Sequence, residues 1–114
     1  MARTKIPNPL DRRHLLAREL PEARAREIGA AYLAEGRGLE AADFLAKAGS
    51  TEDLEALREE AIAAGDVFAF RMISGLLERE PQREEWSRLA EAAAAAGKLR
   101  YETEARRQAE RGEG

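Results

Sequence analysis

Single glycines and prolines interrupt this chain at regular intervals, and they limit how long any helix in it can be. Gly36, Gly65 and Gly97 recur about 30 residues apart, and each follows a segment rich in alanine. Glycine is preferred just beyond a helix end because it adopts a left-handed backbone without steric cost. Proline suits the first turn of a helix, so we expect Pro21 and Pro81 to open helices. The spacing predicts short helices joined by short turns.

The residues between these breaks are typical of helix. Alanine, glutamate, arginine and leucine dominate, whereas valine, isoleucine and threonine are scarce. Apolar side chains recur at helical steps, as in Leu54, Leu57 and Ala61. Because short turns place successive helices antiparallel, we predict an all-α chain of about seven helices in roughly three antiparallel hairpins. The expected extents are 9–19, 21–36, 39–48, 50–65, 66–79, 81–97 and 98–111.

Length, charge and cysteine content limit the class of protein. At 114 residues the chain has the size of one domain. We expect a flexible arm over residues 1–8, one helical domain over residues 9–111 and a disordered tail over residues 112–114. The longest apolar run, residues 92–96, is far shorter than a bilayer span, and a net charge of −3 does not favour nucleic acid. With no cysteine, these features favour a soluble cytoplasmic protein without a membrane or nucleic-acid partner.

The same three glycines mark an internal repeat. A large apolar residue lies eight positions before each of them: Ile28, Leu57 and Leu89. Small residues cluster in between, a polar residue follows the glycine, and a second helix is expected after it. A helical hairpin that repeats at this period is typical of a solenoid.

The repeat resembles the tetratricopeptide repeat. The matching positions are Ile28-Gly29, Tyr32, Ala41 and Ala48 in the first unit, and Trp86, Leu89-Ala90 and Ala109 in the third. In the second unit Arg58 replaces the family's small residue and Phe70 replaces its first alanine. The resemblance implies a right-handed, solenoid-like array of hairpins. A compact helical bundle built from similar hairpins is the alternative.

The resemblance also implies a groove lined by the first helix of each hairpin. The family's groove positions fall on Arg26, Ala30, Leu33, Glu55, Glu59, Ile62, Ser87, Glu91 and Ala94. Such a floor would be acidic in its middle and apolar at its far edge. It would favour a basic, partly apolar helix or extended peptide as the partner.

Residue types that could carry chemistry are present, but their spacing does not bring them together. His14 is the only histidine and has no cysteine to join it at a metal. The adjacent acids Glu59-Glu60 and Glu84-Glu85 point about 100° apart on a helix, so they do not converge. No glycine-rich phosphate loop occurs. We therefore expect no enzyme, and no catalytic, metal or cofactor site.

The function that the sequence favours is a non-enzymatic protein–protein interaction module, an adaptor or scaffold that presents the groove to a protein or peptide. One alternative is a self-associating scaffold, because the run Val67–Phe70 places apolar groups on several sides of a helix and should leave Phe68 or Phe70 exposed. The other is a nucleic-acid-associated protein that uses terminal basic residues. Those residues are Arg3, Lys5, Arg12 and Arg13, and Arg106, Arg107 and Arg111.

Overall fold

Seven α-helices make up the secondary structure of residues 5–111, the part of the chain that this computed structural model describes. No strand occurs in that range, so the prediction of an all-α chain of seven helices is confirmed. The expectations for residues 1–4 and 112–114 lie outside the described residues. The helices are α1 (Pro9–Ala17), α2 (Glu22–Ala34), α3 (Gly38–Lys47), α4 (Thr51–Ala64), α5 (Val67–Leu76), α6 (Arg83–Ala95) and α7 (Leu99–Arg111).

Capping side chains begin two of these helices. The Asn8 side chain accepts a hydrogen bond of 2.9 Å from the N–H of Asp11, at the start of α1. The Asp66 carboxylate accepts one of 3.0 Å from the N–H of Ala69, at the start of α5. Each bond satisfies a backbone donor that has no partner within its own helix.

Four helices end at a glycine in the left-handed region. The end of α2 is typical: the N–H of Gly36 bonds to Leu33 O at 3.0 Å, and the N–H of Arg37 bonds to Tyr32 O at 2.9 Å. This Schellman pair satisfies carbonyls of the last turn. The glycines and their φ angles are Gly36 (72°), Gly49 (67°), Gly65 (66°) and Gly97 (74°).

Helix α5 ends at Leu76, three residues before the predicted boundary at Arg79. Glu78 has a φ of 53° and takes the place that glycine holds elsewhere. Its N–H bonds to Gly75 O at 3.1 Å, and the N–H of Arg79 bonds to Ser74 O at 2.9 Å. The same Schellman motif therefore ends α5, with Glu78 instead of a glycine in the left-handed conformation.

Pro21 and Pro81 stand before their helices rather than in the first turn, whereas Pro9 is the first residue of α1. Pro21 is the residue just before α2, and Pro81 lies two residues before α6. The Glu85 carboxylate accepts a hydrogen bond of 2.8 Å from the backbone N–H of Gln82. This bond satisfies the donor at Gln82, so α6 begins at Arg83.

The chain divides into two compact units, and the boundary between Leu54 and Glu55 lies within α4. Unit 1 contains α1, α2 and α3, and unit 2 contains most of α4 together with α5, α6 and α7. The prediction of a single domain over residues 9–111 stays a prediction, as does the flexible arm over residues 1–8.

In unit 1, α2 and α3 pack closely because glycine occupies their contact. A Cβ atom at Gly29 would lie 2.9 Å from Cδ2 of Leu45, closer than real side chains approach. Beside this contact the buried rings of Tyr32 and Phe44 stack with centroids 5.7 Å apart. The small residue of the repeat motif thus lets two helices meet at short range.

In unit 2, α6 and α7 form a hairpin, and aromatic rings from α5 and α6 fill the core. Phe70 meets Trp86 edge to face, with centroids 4.9 Å apart. The turn after α4 approaches α6 so closely that a Cβ atom at Gly65 would lie 2.4 Å from the backbone nitrogen of Ala93. Leu89 is fully buried on the same helix.

No helix within residues 5–111 is both long enough and apolar enough to cross a membrane.

We expect Gly65→Ala to destabilise the protein more than Gly97→Ala. Both glycines have a positive φ, which costs an alanine about 1 kcal/mol or more. A Cβ atom at Gly97 meets nothing within 4 Å, whereas one at Gly65 collides with the α6 backbone. Urea unfolding should show a loss about twice as large at Gly65. Equal losses would mean that the approach of this turn to α6 does not contribute.

Candidate interaction surfaces

A buried arginine joins three helices of unit 2. Arg58 of α4 is 2% exposed, and its Nε donates a hydrogen bond of 2.8 Å to Ser74 Oγ of α5. Its two Nη atoms donate to the two carboxylate oxygens of Glu85 of α6, the Nη2 bond being 2.8 Å long. The guanidinium also lies 4.6 Å from the ring centroid of Phe70. We call Arg58, Ser74 and Glu85 the arginine network.

Glu85 has a second role, because its carboxylate also accepts a hydrogen bond from the backbone N–H of Gln82. The hydrogen bond from Arg58 holds the pKa of Glu85 below its ordinary value of 4.5. Partial burial raises that pKa, and the bond from Gln82 lowers it further. The pKa of Glu85 is therefore lower in the folded protein than in the unfolded chain. Ionised Glu85 stabilises the fold at pH values above its ordinary pKa, and this stabilisation is lost as the pH falls through the pKa of the folded protein.

The burial of Arg58 was not predicted from the sequence. A signal was present, since Arg58 lies four residues after Leu54 and three before Ala61, on the apolar stripe of α4. A charged residue on a core stripe requires a buried partner. The partner, Glu85, is 27 residues away and could not be identified from spacing.

Arginines neutralise two of the acids predicted for the groove floor. Glu55 pairs with Arg79 in unit 2. Glu59 pairs with Arg88 of α6 at 2.9 Å, and this hydrogen bond lowers the pKa of Glu59 and raises that of Arg88. The side chains are 38% to 58% exposed, so each pair is a surface salt bridge of small energetic value. The acidic character expected at these two positions is therefore largely compensated.

The other predicted groove residues of unit 2 differ in exposure. Ile62 is 1% exposed and belongs to the core, so its side chain is not at the surface. Ser87, Glu91 and Ala94 of α6 are exposed. These three residues keep one face of α6 open to solvent.

The predicted groove residues of unit 1 lie on α2. Arg26 is exposed, and its Nη2 donates to Ala48 O at 3.4 Å. Leu33 is half-buried. Ala30 is exposed and lines a cavity of about 680 Å³ with Ala31 and Ala34. We call this cavity the α2 groove; its other lining residues are Lys5, Ile6, Glu27 and Glu35.

A second cavity of unit 1, of about 560 Å³, lies where α1 meets the start of α3. Arg12, Arg13 and Arg37 line it, with Glu40 as the only acid in its wall. We call it the arginine pocket. Arg37 donates to both carboxylate oxygens of Glu40, at 2.7 and 2.5 Å, and these bonds lower the pKa of Glu40 and raise that of Arg37.

The remaining candidates for chemistry stay apart. His14 is exposed on α1. Within residues 5–111, no group of three or more histidine and acidic side chains is arranged to hold a metal ion. Of the terminal basic residues, Arg106 pairs with Glu102 at 2.8 Å and Arg12 pairs with Asp43 at 3.0 Å.

Comparison with protein-family models, with curated proteins and with solved structures finds no match for this chain.

We expect Glu85→Gln to lower the free energy of unfolding at pH 7 by at least about 2 kcal/mol, because it leaves the buried Arg58 charge without a counter-charge. The difference from the wild type should shrink as the pH falls below 4.5, the ordinary pKa, since the wild-type carboxylate then becomes protonated. Denaturant unfolding at several pH values measures this difference.

Glu84→Gln is the matched control, because Glu84 is the exposed neighbour of Glu85. It should change stability little at any pH. Glu40, the carboxylate of unit 1 with a lowered pKa, has the same neighbours in all three proteins, so its contribution cancels in the difference. A loss in Glu85→Gln that stays constant from neutral to acid pH would contradict the assigned charge pairing.

Proposed function

We propose that the chain is a non-enzymatic protein–protein interaction module, a helical adaptor or scaffold of the cytoplasm. The observation that carries this proposal is the α2 groove, whose wall is formed by three alanines of one helix face. Its volume of about 680 Å³ falls in the range of cavities that bind ligands or partner side chains. The small side chains let a partner backbone or helix come close to α2.

Charge around the α2 groove supports a particular kind of partner. Two acids, Glu27 and Glu35, and one base, Lys5, line it, and Glu27 also pairs with Arg24 at 3.5 Å. An apolar strip with carboxylates at its edge complements an apolar helix or peptide that carries basic residues. The proposed partner is therefore a basic, partly apolar segment of another protein.

The ion pairs of unit 2 involve two of the acids that were predicted to contact the partner. Glu55 and Glu59 each contact an arginine of their own unit, so they are less suited to attract a basic partner. On α6, Ser87 and Glu91 are exposed and remain candidates. Charge reversal at Glu55 or Glu59 would set like charges against Arg79 or Arg88, and a loss of binding could then reflect altered stability.

The arrangement of the hairpins as a right-handed, tetratricopeptide-like array is part of the same proposal. The glycine-closed turn between α2 and α3 supports it, as does the one between α6 and α7. Arrays of this kind present extended surfaces to protein partners.

Self-association is the second candidate function, and one observation favours it. Phe68 is 60% exposed on α5, whereas Phe70 is fully buried, so Phe68 is the aromatic of this run that faces solvent. Leu99 at the start of α7 is 70% exposed. Exposed large apolar side chains are common at protein interfaces.

Affinity capture with two matched variants tests the proposal. Ala30→Arg places a long cation in the α2 groove, which should block the space and repel a basic partner. Ala95→Arg makes the same change at an exposed alanine that does not line this groove. Both substitutions keep a strong helix former, so neither should unfold its helix. Purified wild type and both variants are used to capture proteins from a lysate of the source organism.

We expect one protein to be captured by the wild type and by Ala95→Arg, and to be lost with Ala30→Arg. Capture of the same proteins by all three would exclude the α2 groove as the contact. Capture of nothing but the chain itself would favour self-association, and the mass of the protein in solution would then decide it. Nucleic acid captured by all three and released by moderate salt would favour binding through the terminal basic residues.

A further inference from the structure

The arginine pocket has an excess of positive charge in a chain whose net charge is negative. Three guanidinium groups line it against the single carboxylate of Glu40, and Arg13 is exposed at its edge. One of the three, Arg12, is neutralised by Asp43, so the pocket retains one positive charge beyond its internal pairs. This pocket is separate from the α2 groove and from the arginine network of unit 2.

Two polar atoms of the pocket are buried without a hydrogen-bond partner among the described residues: the hydroxyl of Tyr32 and Nε of Arg12. Both residues line the cavity. Buried polar atoms are nearly always paired, and leaving one unpaired costs free energy. Two such atoms in one cavity wall, beside unused positive charge, point to a ligand that would supply the missing acceptor.

The guanidinium groups of the pocket are held in place rather than loose. Arg12 Nη2 donates to Glu40 O and to Asp43 Oδ2, each at 3.0 Å, and its guanidinium carbon lies 5.6 Å from the ring centroid of Phe44. The guanidinium carbons of Arg12 and Arg37 lie 5.7 and 5.0 Å from the ring centroid of Tyr32. Two cations fixed around one aromatic ring form a preorganised site for an anion.

We propose that the arginine pocket binds the phosphate group of a small organic phosphate monoester. Arginine forks match the oxygens of a phosphate, and a dianion can bridge two of them. A singly charged carboxylate would gain little at Arg37, which already holds the carboxylate of Glu40. A dianion is favoured over that resident partner because it carries twice the charge.

The remaining wall of the pocket accounts for the organic part of the ligand. Pro7, Pro9, Leu16 and Ala17 line it and offer apolar surface. A volume of about 560 Å³ accommodates a phosphate with a ring or short chain attached. Arg13 and Arg37 then contact the phosphate, and the apolar residues contact the organic group. Arg12 Nε and the Tyr32 hydroxyl, which are buried in the unliganded fold, donate to the phosphate oxygens after a small rotation of their side chains.

Titration of the full chain with phenyl phosphate, followed by NMR of backbone and arginine Nε–H signals, tests this proposal. Inorganic phosphate and benzoate are titrated in parallel, the first lacking the organic group and the second lacking the dianion. We expect saturable shifts at Arg12, Arg13 and Arg37 with phenyl phosphate, and binding at least about tenfold weaker for the other two. Equal affinity for inorganic phosphate would overturn the claim that the pocket recognises an organic group. Equal affinity for benzoate would overturn the claim that it prefers a phosphate.

Variants locate the binding. Arg13→Gln and Arg37→Gln should each weaken phenyl phosphate binding by about tenfold, since each removes a charge-assisted contact. Arg18→Gln makes the same charge change at an exposed residue of unit 1 outside the pocket, and it should leave the affinity unchanged. Equal weakening in all three variants would show that the affinity depends only on net charge, and it would overturn the proposed site.

Tyr32→Phe separates binding from folding. The hydroxyl has no hydrogen-bond partner within residues 5–111, so its removal should not lower the melting temperature and should weaken phenyl phosphate binding several-fold. Unchanged affinity in a folded Tyr32→Phe variant would contradict the proposed hydrogen bond between the Tyr32 hydroxyl and the phosphate. No shift at any pocket residue with phenyl phosphate would overturn the proposal as a whole.

Discussion

The buried guanidinium of Arg58 is the interaction on which the architecture of unit 2 depends. Its Nε and two Nη atoms, fixed in one plane, donate to Ser74 on α5 and to Glu85 on α6 from a position on α4. A charge that is 2% exposed is tolerated only with a counter-charge and satisfied donors. The relative position of the three helices is therefore restricted to one that keeps these bonds. Because Glu85 also bonds to Gln82, the same carboxylate determines where α6 begins.

Pairing of guanidinium and carboxylate groups also determines which surfaces remain open to partners. On unit 2, arginines compensate Glu55 and Glu59, so the acidic floor expected from the repeat pattern is largely neutral. On unit 1, alanines and two carboxylates line the α2 groove, whereas three guanidinium groups line the arginine pocket. The proposed protein partner and the proposed phosphate ligand differ in charge for this reason. Both surfaces belong to the same small unit, so binding at one could be measured with the other occupied.

The sequence predicted the helices well because their limits depend on local chemistry. Asn8 and Asp66 cap the helices that follow them, and Gly65 ends the one before it, all within a few residues of the chain. Glu78 was missed because a non-glycine residue rarely takes a left-handed backbone. The arginine network and the pairing of the groove acids arise from contacts between distant residues. Periodicity identifies which face of a helix is apolar, but it does not identify which charges meet across two helices.

A double-mutant cycle on Arg58 and Glu85 tests the central role of the arginine network most directly. Arg58→Met, Glu85→Gln and the double variant are compared with the wild type by denaturant unfolding at neutral pH. We expect each single change to destabilise by roughly 2–4 kcal/mol, and the double variant to be no less stable than the worse single variant, because a buried pair is costly mainly when half of it remains. That pattern corresponds to a coupling energy of about 2 kcal/mol or more. Additive losses would show that the two side chains act independently, and they would contradict the central role of the arginine network in unit 2.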